Sequence, residues 1–133
     1  MRQLKEICNK WIPFPGFLAM MLFGVIFKRQ EYCGTPTRKS TINHEGIHLC
    51  QALDFVGGIE KLQILGFIIF YLLYFIEWII KLIISLFTLG KVQAYRSISF
   101  EQEAYDNQYN YHYQDTRKHW SWMKYIFKLI WKS

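Results

Sequence analysis

The five residues His44-Glu45-Gly46-Ile47-His48 have the types and spacing that can do chemistry. Residues four apart on a helix point the same way, so His44 and His48 can grip one metal ion with their imidazoles. Glu45 lies about a quarter-turn round, near enough to reach a water on that ion without being a ligand. Zinc lowers the pKa of such a water towards neutrality, and a glutamate then takes its proton as general base. With 4 His in 133 residues, chance produces this pattern in fewer than about one in a hundred such chains. The competing reading is a pair of surface histidines on an amphipathic helix.

Gln51 extends the same face, seven residues after His44 and three after His48, where it can hydrogen-bond a histidine or a substrate backbone. Cys50 and Asp54 point elsewhere and take no role. A catalytic zinc needs a third protein ligand and an open position for water. Position 54 is Asp54, so no third histidine follows at the HExxHxxGxxH spacing. Among later glutamates, Glu60 sits where the chain turns past Gly57-Gly58, and Glu77 pairs with Lys81 at i, i+4 in an apolar helix. That leaves Glu101 and Glu103. His112 and His119 read as ordinary or interfacial histidines. Tyr105, Tyr109, Tyr111, Tyr113 or Arg96 could stabilise the oxyanion of peptide hydrolysis, and the sequence does not choose among them.

Glu101-Gln102-Glu103-Ala104 resembles the third-ligand helix of the gluzincin-type zinc metallopeptidases, which reads Glu-x-x-Ala-(Asp/Asn). The resemblance implies Glu101 as third ligand, with Ala104 letting that helix approach the HExxH helix. Glu103 with Asn107 is the alternate register, and Tyr105 stands where the pattern has Asp or Asn. The glutamate not used as a ligand would orient one, and Gln51, Glu103, Tyr105 and Asn107 are the candidates for supporting or substrate contacts. Asn43 to Gln51 and Phe100 to Tyr105 also resemble short membrane-associated HExxH proteins of bacteria. What this implies is a mainly α fold, a compact zincin-like core of HExxH helix plus glutamate helix. The HExxH residues and the Glu-x-Glu-Ala segment together lead to the expectation of one Zn2+ ion and a peptide or protein substrate hydrolysed with Glu45 as base. No recognised proteolytic substrate follows from the resemblance itself. The alternative is a non-enzymatic membrane protein whose zinc is structural or sensory.

The elements that must position these residues follow from composition and pattern. Half the residues (52%) are hydrophobic, 19% are aromatic, and the net charge is +6. Such a chain is not disordered, and 133 residues make a single domain over 1–133. Grease and positive charge together suit an anionic lipid bilayer better than a nucleic acid, which is not expected as a partner. The three cysteines, Cys8, Cys33 and Cys50, have no CxxC spacing and read as reduced thiols on the cytoplasmic side. The first apolar run lacks a small-x-small cleavage site, so no cleavable leader is expected.

Leu4, Ile7, Cys8 and Trp11 fall at helical spacing and predict a short amphipathic helix over Met1 to Trp11, broken by Pro13 and Pro15-Gly16. Phe17 to Phe27 is too short to span a bilayer, and Gly24 favours two strands or a bent extended segment. Ser40 or Thr41 is expected to cap a helix over Ile42 to Val56, ending at Gly57-Gly58. Leu62 to Leu89 carries only Glu77 and Lys81 as charges. It predicts one long membrane-inserted helix or a hairpin of two, the first being preferred for want of a turn signal. Ser97 to Thr116 reads as a soluble helix. Residues 117–132 read as an interfacial amphipathic helix, with Lys124, Lys128 and Lys132 on one stripe. The expected location is a bacterial inner membrane with the active site on the cytoplasmic side; oligomeric state is not legible.

Overall fold

The apolar run that Gly24 interrupts folds as a hairpin. In the computed structural model, which describes residues 1, 3–11 and 19–132, strands β2 (Ala19–Leu22) and β3 (Val25–Arg29) pair antiparallel. Phe23 and Gly24 turn the chain, both at positive φ (52° and 84°), the hand that matches strand twist in a two-residue hairpin. Strand β1 (Lys5–Asn9) runs parallel to β3 on its far edge, giving the order β1-β3-β2. The amphipathic helix expected over Met1 to Trp11 is therefore a strand. Its helical spacing of apolar residues is overridden by ladder bonds to β3, a partner far along the chain. The break at Pro13 and Pro15-Gly16 lies outside the described residues.

Cys8 of β1 is disulfide-bonded to Cys33. Two of the three cysteines expected as reduced thiols are thus paired, because the parallel register brings Cys8 beside Lys28 and the short 3-10 turn Gln30–Tyr32 returns Cys33 to it. Cys50 stays a thiol.

Helix α1 (Lys39–Asp54) carries the HExxH residues. It starts earlier than expected, so Ser40 and Thr41 lie in its first turn and give no side-chain cap. It ends where expected: the Gly58 N–H bonds the Leu53 carbonyl at 2.9 Å across Gly57, closing the last turn. A 3-10 turn, Glu60–Leu62, leads into α2 (Gln63–Phe87), 25 residues without a break. The apolar stretch is one helix and not a hairpin of two. With its leading turn it is long and apolar enough to cross a membrane, and only 17% of its most apolar window is buried.

One face of α2 is covered. Gly66 marks the crossing with α1, since a Cβ there would lie 2.4 Å from the Ala52 carbonyl oxygen. Phe67 and Phe70 then enter a core with Leu49, Leu53 and Phe100, each such side chain stabilising the fold by about 1.5–3 kcal/mol. Gln63 and Tyr71 bond the Phe23 carbonyl and N–H, both at 3.2 Å, and so hang the hairpin on α2.

Helix α3 (Ser99–Asn107) carries both glutamates and begins on a carboxylate from α2. Glu77 and Lys81 stand 3.8 Å apart as expected, but their shorter bonds go elsewhere. Both Glu77 oxygens accept the Ser99 N–H, at 3.0 and 2.9 Å, and Oε1 also accepts the Ser99 hydroxyl at 2.6 Å. This anion caps the positive end of α3. Lys81 Nζ donates to the carbonyls of Ser97 and Ile126, each at 2.8 Å.

The soluble helix expected over Ser97 to Thr116 is two pieces, α3 and the short α4 (Tyr113–Thr116). The amphipathic helix expected over 117–132 does not form. Trp120 sits at φ 66°, its N–H donates to Asp54 Oδ2 at 3.1 Å, and only a 3-10 turn follows at Ser121–Tyr125. Beyond it Trp131 bridges to Val92. Lys81 takes the Ile126 carbonyl that a continuous helix would bond within itself. The architecture is mainly α, with a three-stranded sheet beside the helix pair that carries the site.

Candidate metal centre

Helix α1 presents His44 and His48 one turn apart, ring centroids 4.9 Å from each other. Ala104 is fully buried on α3, and this glutamate helix packs on α1. Glu101 Oε1 then lies 3.0 Å from His44 Nε2 and 3.3 Å from His48 Nε2. Among the described residues, His44, His48 and Glu101 form the group that could hold a metal ion, with ligand atoms within 4.8 Å of one another.

The donor set fits such an ion. Bonds of about 2.0–2.2 Å in tetrahedral array put ligand atoms roughly 3.3 Å apart, close to the spacings found. Each imidazole is also bonded at its other nitrogen. His44 Nδ1 lies 2.8 Å from Gln108 Oε1, and His48 Nδ1 lies 2.8 Å from Gln51 Oε1. A carbonyl oxygen accepts only, so these bonds place an N–H on each Nδ1 and aim each Nε2 into the cluster beside Glu101.

Behind Gln51 runs a buried ionic chain. Its Nε2 donates to the Phe100 carbonyl and to Glu103 Oε1, both at 2.9 Å. Glu103 Oε2 accepts from Tyr113 at 2.7 Å and from Arg117 Nε at 2.6 Å. Arg117 in turn bonds both Asp54 oxygens, at 3.0 and 2.8 Å. Burial opposes the charge on Arg117, but these carboxylates outweigh it and raise its pKa. Glu103, the alternate register, is therefore engaged with Arg117 and Gln51 and stands outside the cluster. Asp54, unassigned from sequence, is a buried partner of Arg117, a residue expected on a basic interfacial helix.

Glu45 does not join the cluster. It lines two adjoining hollows, one of about 320 Å³ with Met21, His48, Tyr71, Tyr74 and Glu101, the other of about 250 Å³ with Ser40, His44 and Tyr105. Tyr95 lines both. Burial pushes the Glu45 carboxyl's pKa up, against the pull of His48 and His44. At His48 burial works against charge, yet the neighbouring Glu101 carboxylate outweighs it and lifts the pKa to about 9. Glu101 is held well below the usual carboxylate range: burial opposes its charge, and His48 and His44 prevail.

The other expected residues divide. The Tyr105 ring packs with its centroid 4.6 Å from that of His44, and the Arg96 guanidinium stacks over the Tyr105 ring, 3.7 Å from its centroid. Asn107 bonds the Glu103 carbonyl of its own helix at 2.8 Å and does not serve the site. Tyr113 is engaged by Glu103. His119 bonds Asp54 at 3.0 Å, and neither it nor His112 reaches the cluster. Sequence reasoning missed Tyr74, whose hydroxyl donates to Glu101 Oε2 at 2.7 Å, because it lies inside the apolar run. It also missed Gln108, although seven residues after Glu101 is the same helix face.

A scan against family models and searches of curated proteins and of solved structures found no match to this chain.

Proposed function

We propose that the chain is a membrane-associated zinc metallopeptidase of gluzincin type, with zinc held by His44, His48 and Glu101. The observation that carries this reading is the convergence of three ligand atoms beside a carboxylate, Glu45, that faces a hollow and is not one of them. Structural zinc sites are closed by four protein ligands. Among the described residues three converge, which favours catalysis over the structural or sensory alternative.

Zinc bound there would polarise a peptide carbonyl and lower the pKa of a water molecule. Glu45 would accept a proton from a water in the hollow beside it as the water oxygen joins the carbonyl carbon, and would return that proton to the departing amide nitrogen as the C–N bond breaks. A raised proton affinity suits both halves of that exchange. Tyr95, which lines both hollows, offers a hydroxyl to the oxyanion. Gln108 and Gln51 hold the two imidazoles in the ligating tautomer. Tyr74 holds Glu101 by its second oxygen.

The apolar length of α2 supports a bilayer as partner. The Cys8–Cys33 disulfide favours an oxidising compartment, so the proposed setting is the outer face of the membrane in place of the cytoplasmic one. The test is hydrolysis of an internally quenched peptide library by the full chain. Activity lost to a zinc chelator and restored by added zinc is expected. A chain that binds one zinc per molecule and cleaves nothing in the library would favour the structural or sensory reading.

A further inference from the structure

Leu65, Leu72, Ile76 and Ile83 fall within about 20° of one line along α2, at 100° per residue. They are 46–60% exposed, Ile76 least and Leu72 most. From Leu65 to Ile83 this stripe runs about 27 Å at 1.5 Å per residue. The opposite face is covered over nearly the same length by the rest of the fold, and backbone carbonyls and buried charges meet it at several points. Gly66 lies on the Ala52 carbonyl, Glu77 caps α3, and Lys81 reaches the carbonyls of Ser97, Ile126 and Lys128. Residues 126–132 beside it have no regular helix.

A helix crossing the bilayer would carry that irregular backbone and those buried ions into hydrocarbon, where lipid-facing irregular backbone is not tolerated. Lying flat removes the conflict, because the apolar stripe alone enters the lipid, to a depth of about 5–10 Å. Charge identifies the occupant. Exposed Lys61 and Lys91 flank the two ends of α2, and exposed Lys124, Lys128 and Lys132 flank Phe127. Phe127 is 96% exposed and shares a hollow with Ile80 and Ile84 of α2. Cations rimming an apolar surface match anionic headgroups, whereas a second copy would set the same lysines against each other.

We propose that α2 is seated in the plane of an anionic phospholipid surface, with its ends on the same side of the bilayer. The inference rests on the membrane association proposed above. Phe70 and Tyr74 leave the helix from its covered face, so the metal cluster sits on the water side, about one helix diameter from lipid.

The experiment places a nitroxide at one position of the full chain at a time, by Leu65→Cys, Leu72→Cys, Ile76→Cys or Ile83→Cys with Cys50→Ser. Each protein is added to preformed vesicles of phosphatidylcholine with phosphatidylglycerol, and label depth is read from relaxation by oxygen and by a water-soluble nickel chelate. Equal shallow depth at all positions is expected, with binding about tenfold weaker to vesicles of phosphatidylcholine alone. Depth that rises to a maximum at Leu72 and Ile76 overturns the in-plane seating and leaves membrane association standing. Failure of the chain to bind either vesicle, or labels shielded from both relaxants by a second copy, overturns both.

Discussion

Gln51 Nε2 donates to Glu103 Oε1 at 2.9 Å, and this bond ties the HExxH helix to the glutamate helix behind the metal cluster. The same amide accepts from His48 Nδ1 at 2.8 Å, so the imidazole's orientation depends on a glutamate of the neighbouring helix that it does not touch. Replacing Gln51→Leu is expected to keep the fold and weaken zinc binding about 10–100-fold. Chelator competition measures it; an unchanged affinity would show that packing alone orients His48.

Arg117 holds two carboxylates that have no exposed surface, Asp54 and Glu103. Arg117→Met removes the cation and leaves both buried anions uncompensated, a loss of about 3–5 kcal/mol. The denaturant midpoint should fall accordingly. Arg117→Lys keeps the charge but loses the fork that bonds both partners, and is expected to fall between wild type and Met. Equal midpoints for Met and wild type would contradict the ionic chain.

Zinc binding should be coupled to pH through His48. Its pKa is lifted to about 9 from the ordinary 6.5, since Glu101 outweighs burial. A raised pKa in the folded chain adds stability that is complete below about 6.5 and is lost as pH rises through about 9. Zinc takes the neutral imidazole and must displace that proton. Apparent affinity is therefore expected to climb about tenfold per pH unit through this window and level off above it. Calorimetry at pH near 7.5 in buffers of different ionisation enthalpy should count about one proton released. Zero protons would mean that His48 is already neutral.

The site was legible where its logic is local. His44, His48 and Gln51 lie on one helix face with Glu45 a quarter-turn round, and period 3.6 finds them in the sequence. Gly24 marked the hairpin and Gly57-Gly58 the end of α1 for the same reason. What was not legible depends on partners distant in the chain. Leu4 to Trp11 carries a helical pattern, yet β3 recruits it as a parallel strand. Residues 117–132 carry a helical pattern too, but Asp54 takes the Trp120 N–H and Lys81 takes the Ile126 carbonyl. Glu77 looked like half of an i, i+4 pair. Its main partner, Ser99, lies 22 residues on, so the cap it gives α3 shows only in three dimensions. Arg117 read as a lipid-facing cation because nothing local announces that it ends between Asp54 and Glu103.

The most direct measurement of the central claim is zinc content and peptide hydrolysis, side by side, for wild type and Glu45→Gln. Glu45 is not in the group that could hold the metal, and in the proposed reading its carboxylate is the base. One zinc per chain in both proteins is expected, with turnover in Glu45→Gln lower by about 10²–10⁴-fold. Zinc retained with turnover unchanged would contradict the account.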